Sequence, residues 1–267
     1  MLEPEIVYRA FPGSGPSHRR AILREYLQLK ALDFIFGRLS ASGLVFTGGT
    51  CIHIFHGSDR FSEDLDFDNR GLTGDLYADL AGAVAREFRL EGVACECTVK
   101  APRGASTATL RFGDILQAWK LTPHKDEILR LKLDAAPQEY DCPAEVEILN
   151  RLDVICGVPV LPAGLLLSNK LIAILERNRL MGRDLYDAAY LFGMTAPDLR
   201  YIEEKSGLST PQEVAGCVMD RIGRTDMGIL EEDVRPFVAF PGNLLRISAF
   251  PEILSRWASE AGDRSAE

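Results

Sequence analysis

Residues 44–68 read LVFTGGTCIHIFHGSDRFSEDLDFD, and two groups of residues in them suit phosphate chemistry. Gly48 and Gly49 close an apolar run and are followed by Thr50. A glycine has no Cβ, so its backbone N–H can come close to a phosphate. A helix starting there adds the partial positive charge of its N-terminus. Downstream, Asp64, Asp66 and Asp68 alternate with Leu65 and Phe67. On a strand the aspartates share one face with Ser62, and Phe61, Leu65 and Phe67 take the other. Crowded carboxylates repel one another unless water or a cation lies between them. Mg2+ takes hard oxygen ligands, typically one or two carboxylates together with substrate phosphates. Asp-Leu-Asp alone reads more readily as a solvated acidic face, and Gly-Gly alone as a tight turn. Close together, they read as a phosphate site beside a metal site.

For the two groups to meet, the chain must run strand, helix, strand and return to one end of a sheet. The pattern allows it. Residues 43–47 read as a short buried strand, 50–57 as about two turns of helix stopping at Gly57, and 61–68 as a strand. Ahead of them, residues 18–40 place Ile22, Tyr26, Leu29, Leu32, Phe36 and Leu39 near helical spacing, with Ser17 as N-cap. A helix over 73–92 ends at Gly92, and strands follow over 93–100, 106–115, 127–136 and 144–152. The pattern changes at Pro159 to Pro162, and from Ala163 the chain reads as mostly helical. The expected fold is α/β: a mixed sheet with flanking helices over 1–160, then a helical half over 161–267.

The order of these motifs resembles the nucleotidyltransferase superfamily of the DNA polymerase β type, which has Gly-Gly or Gly-Ser at a helix start and Asp-x-Asp on the next strand. More narrowly it is similar to the AbiEii-type toxin nucleotidyltransferases, the group that includes the MenT toxins. That family's Gly-Gly-Thr matches Gly48, Gly49 and Thr50, and its Arg-x-Ser-x-Asp-Leu-Asp-Phe matches Arg60, Ser62, Asp64, Leu65, Asp66 and Phe67. Its lysine-bearing helix and Arg-Asp-Leu-Tyr-Asp segment match Lys170, Arg183, Asp184, Tyr186 and Asp187. The resemblance covers residues 44–192. Where the family often has Glu before the motif lysine, this chain has Asn169.

The resemblance implies a Mg2+-dependent enzyme that moves a nucleoside monophosphate from an NTP to an acceptor. Asp64 and Asp66, with a third acid, would hold the metal. Gly48, Gly49, Thr50, Ser62 and Arg60 would bind the phosphates, with Lys170 as a point charge, and Arg183 and Asp187 would complete the substrate site. Asp184 is assigned either to catalysis or to bracing two helices. Asp134, which follows Lys132 on a strand, is taken as the third metal ligand, with Glu145 and Glu147 as alternatives. The helical half would complete the cleft. Relatives in the family add nucleotides to the 3′ end of tRNA, so the implied acceptor is tRNA and the implied role is a toxin in a toxin–antitoxin or phage-defence pair, with an antitoxin as partner. A nucleotidyltransferase-fold binding protein, or a transferase acting on a protein or small-molecule hydroxyl, is the alternative.

Composition limits the acceptor surface. The net charge of −9 argues against non-specific nucleic-acid binding by the whole surface. An RNA acceptor therefore needs a local basic groove, for which Arg19, Arg20 and Arg24, or Arg177 and Arg179 with Lys170, are candidates. The six cysteines are scattered, and Cys51, His53 and His56 lack a fourth ligand, so they read as packing residues. The first fifteen residues lack the basic start and apolar run of a signal peptide, and no apolar run reaches membrane-spanning length. A cytoplasmic location without membrane contact is the expectation.

Overall fold

A computed structural model describes residues 1–12, 15–39, 41–100, 104–140 and 144–264. The chain forms two compact units, Met1–Phe55 with Phe61–Leu161, and His56–Arg60 with Pro162–Glu267. In the first unit, α1 (Pro4–Arg9) and α2 (Arg19–Leu32) precede β1 (Leu44–Thr47), α3 (Gly48–His56), β2 (Leu65–Asn69) and α4 (Gly74–Leu90). There follow β3 (Cys95–Lys100), β4 (Ser106–Phe112), the single turn α5 (Ile115–Ala118), β5 (Leu129–Pro137), β6 (Glu145–Arg151) and β7 (Val154–Val160). The strands make one sheet in the order β3-β4-β5-β2-β1-β7-β6. It is mixed: β2 runs parallel to β5 and β1 parallel to β7, and the other neighbours are antiparallel.

Alternation decides which face is core. Leu65, Phe67, Leu131, Leu133, Leu110 and Phe112 point to one side and are buried. Here α4 packs on β3 and β4, α2 on β5 and β7, and the wider turn Asp33–Arg38 on β7. Phe88 of α4 stands edge-on to Phe34 at 4.8 Å and to Phe112 at 4.9 Å, close to the preferred geometry for aromatic pairs. On the opposite side Glu96, Thr98, Lys100, Arg130 and Lys132 are exposed.

The second unit is helical: α6 (Ala163–Glu176), α7 (Gly182–Phe192), α8 (Leu199–Ser206), α9 (Pro211–Ile222), α10 (Met227–Val234) and α11 (Leu245–Arg264). The apolar faces of α6 and α7 meet, and α7 also packs on α10 and α11. Gly182 opens α7 because any Cβ there would overlap the Leu230 carbonyl. Thr210 and Glu213 form a reciprocal capping box at the start of α9. The segment His56–Arg60 is held within this unit: Tyr190 donates to the His56 carbonyl at 2.6 Å, and Arg60 pairs antiparallel with Val238.

The mixed sheet with Val45, Leu65 and Leu133 on it, and the helical second half, match the expectation. Three local readings are corrected. The aspartate strand starts at Leu65, not at residue 61, because β1 is only four residues long and leaves residues 61–64 unpaired on that side. Ser17 does not cap α2; it lies in the tight turn Pro16–His18 that precedes it. Strand β7 is absent from the sequence reading, since Gly157 and Pro159 interrupt its pattern.

Candidate active site

The glycine turn and the aspartate strand meet. Thr47, last residue of β1, lies opposite Asp66 of β2. The next residue, Gly48, has φ +77°, a conformation that glycine adopts freely and other residues resist. A Cβ on Gly48 would overlap the Asp66 carboxylate, and its distance from Asp66 Cβ and Cγ would be only 2.8 Å. The glycine is thus required twice, by its dihedral and by the carboxylate against it. Helix α3 starts at this residue, and its first N–H groups have no partner within the helix.

Asp134 completes a carboxylate pair. It is the register partner of Asp66 on the parallel strand β5, so their Cα atoms are about one strand spacing apart, ~4.8 Å, and their side chains share a face. Both are half-buried. Glu145 and Glu147 are not competitors. The row Glu145–Val160–Phe46–Phe67 puts Glu145 three strands from β2 and on the face of Phe67, opposite to Asp66, and Glu147 follows it.

Asp64 and Ser62 lie in the loop before β2 rather than on its acidic face. Thr50 is fully buried, and its hydroxyl donates to the Asp64 carbonyl. It ties the glycine helix to the aspartate loop. Gln28 of α2 holds the same loop, donating to the Ser62 carbonyl at 3.1 Å. Among the described residues, no three His, Cys, Asp or Glu side chains are placed to share a metal ion. The carboxylates in register on one face are Asp66 and Asp134, with Asp64 in the loop next to Asp66. That set fits Mg2+, which needs one or two carboxylates when phosphates supply the remaining oxygens. Cys51 is buried on α3 and His53 is hydrogen-bonded to Glu25 at 2.8 Å, so neither gathers as a metal ligand.

The motif residues Arg60, Lys170, Asp184 and Asp187 form an ion cluster within the helical unit. Asp187 accepts from Arg60 Nε and from its terminal nitrogen, both at 2.7 Å, and Lys170 Nζ stands 2.8 Å away. Lys170 also reaches Asp184 at 3.3 Å, and Arg177 Nε is 3.0 Å from the same carboxyl. Arg60, Asp184 and Asp187 are each 3% exposed or less. Burial opposes the Asp187 charge, but Arg60 and then Lys170 outweigh it and hold the carboxyl below its ordinary range. Arg183, next to Asp184, is exposed.

Residues 34–209 match the family described as the nucleotidyl transferase AbiEii toxin of type IV toxin–antitoxin systems. The chain belongs to the AbiEii nucleotidyltransferase toxin family. The matched span carries Gly48, Asp66, Asp134, Lys170 and Asp187, so this AbiEii nucleotidyltransferase has both the carboxylate pair and the buried ion cluster inside the family's own region. Two solved structures share its fold. The crystal structure of JHP933 from Helicobacter pylori superposes with a TM-score of 0.60 at 19% identity, covering 92% of this chain and 95% of that one. A candidate nucleotidyltransferase from H. pylori gives 0.57 at 20% identity over 90% and 97%. No curated protein matches the AbiEii chain by sequence. Among its described residues no helix is long and apolar enough to cross a membrane.

One polar cluster of the AbiEii chain has no counterpart in the sequence reading. Asp59 accepts from Tyr186 at 2.6 Å, Asn243 at 2.9 Å and Arg246 at 3.1 Å, and Arg246 lies over the rings of Tyr186 and Tyr190. Asn243 and Arg246 come from a part of the chain without a recognisable motif, so no spacing announces them.

Proposed function

We propose that this AbiEii nucleotidyltransferase moves a nucleoside monophosphate from an NTP to the 3′ end of tRNA, with Mg2+, as a toxin restrained by an antitoxin. The observation that carries the chemistry is Gly48 packed against Asp66, with Asp134 in register beside it. The N–H groups at the start of α3, which have no partner within the helix, would bind phosphate oxygens, where the Cβ-free backbone of Gly48 and Gly49 permits close approach. Asp66 and Asp134, with Asp64 from the adjoining loop, would hold the divalent ion. When bound, that ion neutralises charge on the α-phosphate and on the leaving pyrophosphate. The acceptor hydroxyl oxygen forms the new bond to the α-phosphorus. The bond from the α-phosphorus to the bridging oxygen breaks, pyrophosphate leaves, and the hydroxyl proton passes to Asp134 or to water. Thr50 keeps α3 and the Asp64 loop in step.

Lys170, Arg60, Asp184 and Asp187 neutralise one another, which favours bracing of α6, α7 and the 56–60 segment over direct phosphate binding. The acceptor is tested by incubating the protein with each of four NTPs labelled at the α-phosphate, Mg2+ and total RNA. Label on tRNA is the expected result. Label on protein or on small hydroxyl compounds, with RNA unlabelled, would remove the tRNA acceptor and leave the transfer chemistry.

A further inference from the structure

The carboxylate pair belongs to a longer row. Lys100, Thr107, Asp134, Asp66 and Thr47 are successive register partners across five strands. They share the sheet face opposite to the one on which α2 and α4 pack. Two residues back along β5 the next row on that face pairs Thr109 with Lys132, and the row after it places Arg111 directly beside Arg130. From Asp134 to Arg130 is four residues of strand, about 13 Å. Lys132 and Arg130 are exposed, and Arg111 is half-buried.

Two observations make this strip unusual. Like charges directly opposite each other on neighbouring strands destabilise a sheet, yet Arg111 and Arg130 occupy such a pair. Glu96 lies next to Arg111 in the same row, but among the described residues no ion pair links Arg111, Arg130 or Lys132 to any carboxylate. In addition, the Arg111 Nε is buried without a hydrogen-bond partner among the described residues. By contrast, Arg20 pairs with Glu127, Arg24 with Glu63, Arg177 with Asp184 and Arg179 with Asp233. The basic residues singled out from the sequence are largely neutralised, and unneutralised cations stand in line with the carboxylates.

We infer that the strip Lys132–Arg111–Arg130 is the track for the acceptor RNA, its 3′-terminal hydroxyl at Asp66 and Asp134 and its upstream phosphates over the three cations. The inference rests on the proposed RNA acceptor and adds where that RNA lies. Charge complementarity selects the occupant: the strip runs lengthwise away from the carboxylates, as a chain of phosphates does. On the same face Thr107 lies beside Asp134 and Thr109 beside Lys132, adding hydroxyl donors along the strip.

The test uses the full chain and a 3′-terminal RNA strand. Binding is measured against salt for wild type and for the triple variant Arg111→Gln, Arg130→Gln, Lys132→Gln, with affinity for a fluorescent NTP analogue as a second readout. Each lost phosphate contact lowers the slope of log affinity against log salt by about 0.7 for a single strand, so the triple variant is expected to lose about 2. NTP affinity is expected to stay within twofold. An unchanged RNA slope overturns the track, as does RNA binding displaced equally well by polyglutamate. Should the triple variant not fold, Lys132→Gln alone is expected to lower the slope by about 0.7. Label transfer is scored separately. If wild type labels RNA and the variants label it equally at physiological salt, the track fails and the acceptor stands. If wild type labels no RNA, the acceptor fails, and the track with it.

Discussion

At the scale of single residues, Gly48 and Asp66 are one feature seen from two strands. Gly48→Ala would force a side chain into a left-handed backbone and against a carboxylate. We expect a stability loss of about 1–2 kcal/mol in urea unfolding, from the strained dihedral, and loss of label transfer. Asp66→Asn removes one charge from a repelling pair, so its melting temperature without metal is expected to equal or exceed wild type while transfer is abolished. A normal rate in Asp66→Asn would remove it from the site. Asp187 behaves differently, because it is enclosed by Arg60 and Lys170. Asp187→Asn leaves a buried guanidinium with half its pairing, and breaking such a pair typically costs about 3–5 kcal/mol. The sign with pH follows from its lowered folded-state pKa. Its contribution is present above the unfolded value near ~3.9 and fades as pH falls through the lower folded one. Unfolding free energy that stayed level from pH 5 to pH 2 would contradict this coupling.

At the scale of elements, the unit β1–α3–β2 was legible because its signals are local. An apolar run, two glycines and an apolar–acidic alternation lie within one stretch, and the structure folds them to one strand end. What escaped was whatever depends on partners. The alternation through Ser62 and Asp64 suggested strand, but β1 is too short to pair with that part. Thr50 looked like a phosphate ligand, and its hydroxyl instead fastens α3 to the Asp64 loop. Asp134 could not be separated from Glu145 and Glu147 by sequence, whereas register separates them at once. Lys170 stood out inside an apolar helix, but nothing in the pattern showed that two carboxylates of α7 enclose it. The Thr50 link makes a test of its own. Thr50→Val is expected to lose about 1 kcal/mol of stability, the worth of one hydrogen bond, and to lower the transfer rate while leaving the fold. Thr50→Ser should restore the rate, and a full rate in Thr50→Val would show that the link does not position the loop.

At the scale of the whole molecule, the proposed polyanionic acceptor requires an acidic chain to concentrate its positive charge in one place. The net −9 disfavours RNA everywhere except where cations are left unneutralised. The paired Arg20 and Arg24 of α2 and Arg177 just after α6 contribute little there, and the sheet face of β4 and β5 carries Arg111, Arg130 and Lys132 instead. The same face carries Asp66 and Asp134, so the proposed catalysis and acceptor binding share one surface of one sheet. The central claim is that this surface transfers nucleotides with the Asp66–Asp134 pair at its centre. It is tested most directly by transfer of α-labelled NTP to total RNA by wild type, Asp134→Asn and Glu147→Gln, each with Mg2+ and with EDTA. Wild type and Glu147→Gln are predicted to label tRNA equally and only with Mg2+, and Asp134→Asn to label none. Undiminished labelling by Asp134→Asn, or equal labelling by wild type in EDTA, would contradict the account.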